Sequence, residues 1–331
     1  VEDNEKSFLN ATKDEILTRF MPKALGGMDR SQAAFPLLAR NVRLLKSIEN
    51  ILPRLPTYHD FYRTDATAIS FLEPESIHLV ITSPPYWILK KYNEHERQLG
   101  SIENYDLFIA NLDKVWEHCY QALVPGGRLI CVVGDVCLSR RKNNGCHTVV
   151  PLHATIQEQC RKMGYANVAP IIWHKIANAK LEASGNATFL GKPYEPNAII
   201  KNDIEFILME RKPGGYRSPS FLERAFSVIS VKHHKIWFNQ IWTGVTGAST
   251  RNHPAPYPLE LAQRLIRMFS FVGDIVLDPF LGSGTTAIAA YNSGRNSINV
   301  EIDEAYFQRA VARFKRETSC AASNHIIHIN T

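Results

Sequence analysis

The sequence predicts a doubly wound α/β fold with a mostly parallel sheet, and three observations carry that expectation. Short apolar runs at 77–82, 128–134, 275–277 and 297–301 each end in turn-forming or ligand-type residues, as strands buried on both faces do. Helical patterns lie between them: 105–123, stopped by Pro125-Gly126-Gly127, and 259–271, stopped by Gly273. Strands alternating with helices in this way build a parallel sheet between two helical layers. Third, two β-rich runs at 167–174 and 203–210 flank a loop containing Gly185, Gly191 and Pro193, and are expected to pair antiparallel at a sheet edge. Residues 1–55, rich in Leu, Arg and Lys around 35–45, read as a peripheral helical extension.

Bulk composition narrows the class without naming a function. Hydrophobic residues make up 45% and charged residues 21% of 331, which is ordinary for a globular protein and argues against a disordered or fibrous chain. Lys plus Arg exceeds Asp plus Glu by 38 to 32, a formal charge of +6 that favours a polyanionic partner. The excess is concentrated at 211–250, where Arg211, Lys212, Arg217, Arg224, Lys232 and Lys235 face a single acid, Glu223. Cys119, Cys131, Cys137, Cys146, Cys160 and Cys320 show no C-x-x-C pair and no metal-ligand spacing, so they read as reduced thiols. No apolar run approaches the roughly 20 residues needed to span a bilayer, and the polar start lacks a signal-peptide core; a cytoplasmic protein is expected.

The first loop expected to do chemistry follows the run 77–82. Ser83-Pro84-Pro85-Tyr86-Trp87 leaves the carboxyl end of a buried strand, the edge at which open α/β sheets bind ligands. Consecutive prolines fix φ twice and remove two backbone donors, leaving an array of acceptors beside an aromatic ring. Such an array suits an exocyclic amine on a nucleobase, whose nitrogen lone pair is delocalised into the ring. If the Ser83 hydroxyl and the Pro84 carbonyl each accept an amino hydrogen, the lone pair is directed out of the ring plane. Tyr86 can stack on a base flipped out of a duplex, and Trp87 can add a second wall.

The second loop is Asp278-Pro279-Phe280-Leu281-Gly282-Ser283-Gly284-Thr285-Thr286, again a strand, a glycine turn and a helix start. The glycines allow close backbone approach to a ligand, and Thr285 or Thr286 can cap the helix. Glu301, at the end of the next strand, is placed to accept from both hydroxyls of a ribose. Pyrophosphate at this helix N-terminus would meet Asp278, whereas a cationic amino group would be welcomed there, which favours S-adenosyl-L-methionine over a dinucleotide.

Together the two loops resemble the amino-methyltransferases of bacterial restriction-modification systems. The family's catalytic signature, a Ser, Asn or Asp followed by Pro-Pro and an aromatic, is matched by Ser83, Pro84, Pro85 and Tyr86; its cofactor signature is matched by residues 278–286. The catalytic loop precedes the cofactor loop, as in the permuted beta group. The resemblance implies a Rossmann-like S-adenosylmethionine methyltransferase sheet with circularly permuted motif order, over roughly residues 61–314. His253 and Pro254, in His253-Pro254-Ala255-Pro256-Tyr257-Pro258, resemble the segment lining the methionine side of the pocket. Thr64-Asp65-Ala66 resembles a Gly-Asp-Ala element near the adenine, with threonine replacing glycine. Thr82 and Ile302 complete the implied cofactor set of Asp65, Asp278, Pro279, Phe280, Gly282, Ser283, Gly284, Thr285, Thr286 and Glu301.

The implied organisation is an N-terminal extension at 1–55, a catalytic half at 56–212, a target-recognition region at 213–250 and a cofactor half at 251–331. Lys90, Lys91, Arg140, Arg141, Arg217, Lys232 and Lys235 are the expected DNA contacts. Ser before Pro-Pro resembles enzymes acting on the 4-amino group of cytosine; adenine 6-amino methylation is the alternative, and a catalytically silent nucleotide- or DNA-binding module is the rival from another class. Attack at cytosine carbon 5 would need a Pro-Cys nucleophile, and none is present. Direct transfer calls for no metal. Double-stranded DNA is the implied partner, a separate cognate endonuclease would supply any restriction, and a homodimer is left open. Asp135, after the 128–134 run, is a neighbour of the pocket for which a structural role is expected.

Overall fold

The computed structural model describes residues 11–89, 97–175, 202–248, 257–319 and 325–331. Its central sheet contains β1 (Thr57–Tyr62), β2 (Ile77–Thr82), β3 (Leu123–Val133), β6 (Ala166–His174), β7 (Ile204–Arg211), β8 (Ile241–Trp242), β9 (Ile275–Asp278), β10 (Asn296–Val300) and β11 (His325–Asn330), in the order β11-β1-β10-β9-β2-β3-β7-β6-β8. A separate two-stranded sheet pairs β4 (Val136–Leu138) with β5 (Thr148–Val150). Only β7 runs against its neighbours β3 and β6, so the expected parallel sheet with its antiparallel hairpin is present. The hairpin is not outermost, because the two-residue β8 pairs parallel with β6 beyond it.

Burial on both faces explains why β2 and β9 are continuous apolar runs. Val80 packs into the cluster formed with Phe108, Leu112 and Trp116 of α5 (Tyr105–Ala122), while Leu79 and Ile81 join Leu261, Leu265 and Ile266 of α9 (Leu259–Phe269) on the other face. Each such fully buried side chain contributes about 1.5–3 kcal/mol. α6 (Leu152–Met163) shares the face of α5; α10 (Thr285–Asn292) and α11 (Glu304–Thr318) follow β9 and β10. The glycines after α5 do not end the element: β3 starts at Leu123, and a register shift against β2 between Ile77 and Leu79 absorbs the turn, where Gly126 has φ 80°.

The N-terminal helices α1 (Lys13–Phe20), α2 (Lys23–Gly26), α3 (Ala34–Leu38) and α4 (Val42–Ile51) are less peripheral than expected. Leu17, Leu38, Leu44 and Ile48 form one apolar cluster with Leu222 and Phe226 of α7 (Phe221–Phe226) and with Val272. The extension and the first part of region 213–250 therefore stabilise each other. α8 (Val231–Trp237) continues from α7, its first amide bonded to Ala39 O at 3.0 Å. Among the described residues no helix is long and apolar enough to cross a membrane.

Candidate active site

Connections leave the sheet in opposite directions at its centre. From β9 the chain passes through α10 to β10 on one side; from β2 it passes through α5 to β3 on the other. Ligands bind at such a switch point, at the carboxyl ends of the strands. Thr82 Oγ1 donates to Asp278 Oδ1 at 2.8 Å, joining the last residues of β2 and β9 beneath this point. Above it a cleft is lined by Asp65, Ser83, Pro85, Pro279, Phe280, Gly282, Glu301 and Ile302 from the expected set.

The catalytic loop is held from behind. Ser83 Oγ donates to the Tyr86 hydroxyl at 3.1 Å, and Tyr86 donates to Val132 O on the adjoining strand at 3.4 Å. Pro84 and Tyr86 are buried and do not line the cleft; the Tyr86 ring belongs to the core and touches the site where a Gly134 side chain would stand. Trp87 adopts φ 46°, a left-handed conformation costing a bulky residue about 1–3 kcal/mol. Its ring meets Tyr105 edge-on at 5.1 Å and its indole N–H donates to Glu103 O at 3.1 Å, so it anchors the end of the loop.

The cofactor loop divides its residues among three tasks. Asp278 is fully buried and does not line the cleft; Thr82, Phe280 N (3.1 Å), Tyr257 (3.3 Å) and Thr286 all donate to its carboxylate. Burial raises its pKa, and those hydrogen bonds hold the rise back. Gly284 serves packing: at φ 78°, an added Cβ would lie 3.3 Å from Ala310 Cβ of α11. It is also the N-cap of α10, with no side-chain cap bond, which corrects the capping role expected of Thr285 or Thr286. Ser283 and Thr285 turn to Arg313, which donates to Ser283 O at 2.9 Å and Thr285 Oγ1 at 3.2 Å.

Glu301 lies at the cleft with 8% exposure. Its carboxylate accepts from Gly282 N and Asp303 N, each at 2.9 Å. Burial pushes its pKa up to about 7 against those two bonds. The amide of Gly282 is thus committed to a carboxylate and that of Gly284 to Leu281 O, so neither is free to cradle a phosphate. Asp65 Oδ1 accepts from Thr67 N and Oγ1 at 2.8 Å while facing the same cleft. Two carboxylates for hydroxyl or amine donors, with Phe280, Ile302 and Tyr306 for a flat ring, fit a nucleoside cofactor lacking a phosphate.

Thr64 and Ala66, named with Asp65 in the element expected near the adenine, also line the cleft, as do Arg97, Gln98, Leu99 and Tyr306, which were not foreseen. They come from adjoining loops and one helix, without a motif of their own. Tyr257 was named only within a longer segment, yet its hydroxyl joins Asp278 and Thr286. His253, Pro254, Lys90 and Lys91 lie outside the described residues.

Of the expected DNA contacts, Arg140 and Arg141 stand on the β4–β5 hairpin, which rises from the carboxyl end of β3 at the cleft edge. Arg217 belongs elsewhere. Its guanidinium binds both oxygens of Asp274 at 2.7 Å, one residue before β9 and therefore at the opposite edge of the sheet. Lys232 likewise lines a hollow with Glu49, Trp237, Arg267 and the C-terminal end of α10, away from the cleft; Lys235 is exposed on α8. Part of the basic, aromatic composition of this region is spent on contacts within the protein, with Arg217 on Phe271 and Arg224 on Phe35, while Arg211 meets a Tyr216 ring that is 91% exposed. Trp237 and Trp242 are core residues. Asp135 takes the structural role expected of it, binding His153 Nδ1 at 2.6 Å.

Residues 77–312 match the N6_N4_Mtase family model, described as DNA methylase. The type II methyltransferase M.MjaI of Methanocaldococcus jannaschii is 37% identical over 281 residues, covering 76% of this chain and 89% of that protein. The structure of TTHA0409 from Thermus thermophilus, complexed with S-adenosyl-L-methionine, superposes with a TM-score of 0.68 at 45% identity, covering 82% of this chain and 99% of the other. The PvuII cytosine-N4-specific DNA methyltransferase shares the fold at 16% identity, with a TM-score of 0.57 over 82% of this chain and 97% of the other. With the switch-point cleft and both signature loops in place, the chain belongs to the DNA methylase family of amino-methyltransferases.

Proposed function

We propose that this DNA methyltransferase transfers a methyl group from S-adenosyl-L-methionine to the exocyclic 4-amino group of a cytosine flipped out of duplex DNA. The observation that carries the reading is the orientation of Ser83. Its hydroxyl proton is directed to Tyr86, leaving its oxygen lone pairs for an amino hydrogen arriving in the cleft. The Pro84 ring is buried behind the cleft, so its contribution would be its backbone carbonyl, a second acceptor at the strand end beside Ser83, and the pair would hold the amine with its lone pair out of the ring plane.

Bound S-adenosyl-L-methionine would supply an already activated methyl group, so the protein's work is positioning. Glu301 and Asp65 would take its hydroxyl and amine donors, and Phe280, Ile302 and Tyr306 would flank its ring. Asp278 would act through the loop, fixing Phe280 and the top of β2 relative to each other. Adenine is the second reading, because a serine hydroxyl accepts from either base's amine.

The test is incubation with mixed-sequence duplex and methyl-labelled cofactor, followed by nucleoside mass spectrometry, with Ser83→Ala as control. Label in 4-methylcytosine that disappears in the variant is the expected result. Label in 6-methyladenine would overturn the base assignment, and a fully active Ser83→Ala would overturn the assigned mechanism.

A further inference from the structure

The β4–β5 hairpin adds nothing to the central sheet, yet it is rigidly built at root and tip. β4 begins three residues after β3 ends and packs against the 3₁₀ turn Trp87–Leu89 that closes the catalytic loop. Val136, Leu138 and Val150 fasten it to the core. Within the connection 139–147, Asn144 (φ 48°) and Gly145 (φ 83°) are successive left-handed residues at the centre of a turn that Cys146 N closes on Asn143 O at 2.8 Å. Gly145 N donates to Arg140 O at 2.9 Å, and the Asn143 amide donates to Thr148 Oγ1 at 2.8 Å. The tip carries Arg140, Arg141 and Lys142, and no acid lies within 136–150.

The root is closed by residues just outside the hairpin. Asp135 Oδ1 binds His153 Nδ1 at 2.6 Å and the His153 backbone N–H at 3.4 Å. It thereby gives the first turn of α6 the acceptor that its N-cap, Pro151, does not provide. The His153 ring stacks on Phe206 of β7 at 3.7 Å and 10°.

We propose that this hairpin is an arm that grips the phosphate backbone of duplex DNA beside the flipped base, and that the Asp135–His153 bond is the latch fixing the arm relative to Ser83. The proposal rests on the DNA-methyltransferase reading. Arg141 is exposed at the tip, where pairing with a phosphate costs no burial of the free protein. Asp135 and His153 are positioning residues: they touch neither base nor cofactor and act through the arm.

The test measures binding of the full chain to a labelled mixed-sequence duplex across a salt titration, alongside binding of S-adenosyl-L-methionine. Arg141→Ala should weaken DNA binding several-fold and flatten the plot of log K against log salt by about 0.9 for each phosphate the side chain no longer neutralises, and Arg141→Glu should weaken it further. Cofactor binding should not change. Asp135→Ala should lose DNA affinity and turnover, whereas Asp135→Asn, which still accepts from His153, should restore both. Arg141 variants with wild-type affinity and slope would overturn the arm. An inactive but well-folded Asp135→Asn that binds DNA normally would overturn the latch, because it would make the charge chemical. Wild-type protein that neither binds nor methylates any duplex would overturn the methyltransferase reading and this proposal with it.

Discussion

Arg217→Ala separates a structural cation from a DNA-binding one. The guanidinium makes two bonds of 2.7 Å to Asp274, a carboxylate with no exposure. Breaking a buried ion pair by removing one partner costs about 3–5 kcal/mol. Arg217 itself is 31% exposed, and Lys13 at 3.7 Å remains as a cation beside the orphaned acid, whereas burial lowers the His78 pKa to about 4 and leaves that ring neutral near pH 7. The expected loss is therefore about 2–3 kcal/mol, including the lost stacking on Phe271. Urea denaturation of wild type and variant would measure it. Burial raises the pKa of Asp274, but Arg217 and His78 outweigh burial and hold it below the usual carboxylate value. The stability it contributes is present above the unfolded value of 3.8 and lost as pH falls through the lower folded value; without Arg217 that loss should begin at higher pH. DNA affinity and its salt slope should be unchanged. A variant of wild-type stability with a flattened salt slope would refute the reasoning and return Arg217 to the DNA interface.

Other expectations follow from the cleft. Tyr86→Phe removes the acceptor of the Ser83 proton, so kcat should fall about tenfold, the scale of one hydrogen bond, with cofactor affinity intact; unchanged single-turnover rates would contradict this. Cofactor affinity should rise with pH up to about 7, where Glu301 becomes ionised, and level off above, and Glu301→Gln should weaken binding and flatten the profile in calorimetry. The same raised pKa has the opposite effect on the free protein: between the unfolded value of 4.5 and about 7 the native state holds the extra proton, so this group's contribution to stability declines as pH rises. Gly284→Ala forces a side chain into a left-handed position against Ala310 and should lower stability by about 1–2 kcal/mol in the same denaturation assay.

What could be read in advance depends on whether burial leaves a compositional trace. β2 and β9 do, because both faces of each strand are covered and, apart from His78 and the terminal Thr82 and Asp278, every position is apolar. β1 and β11 do not. Thr57-Tyr58-His59-Asp60-Phe61-Tyr62 looks like a surface segment, yet His59 is fully buried, held by Ser297 at 2.8 Å and Thr57 at 3.1 Å, and burial lowers its pKa to about 3 so that it stays neutral. A satisfied polar core residue carries the same letter as an exposed one. The same ambiguity hid the fate of region 213–250, since cations interleaved with aromatics describe equally a phosphate-binding face and a set of cation–π contacts that tie the region to the rest of the protein, such as Arg217 on Phe271 and Arg224 on Phe35.

The cofactor loop shows a subtler limit, because sequence fixes the order of its residues and not their direction. Asp278 has the chemistry to receive an amine, but with both oxygens committed to Thr82, Tyr257, Thr286 and the Phe280 amide, and no surface at the cleft, it acts as a stitch between two strands. Substituting it would strand several buried donors at once, so loss of activity in such a variant would not by itself place the carboxylate on a ligand. Glu301 is the acid whose position supports a direct contact, for it reaches the cleft and, among the described residues, its hydrogen-bond partners are the backbone amides of Gly282 and Asp303. The two acids of one motif are therefore distinguishable by experiment: cofactor titration should respond to pH through Glu301, whereas Asp278 should register first in folding stability.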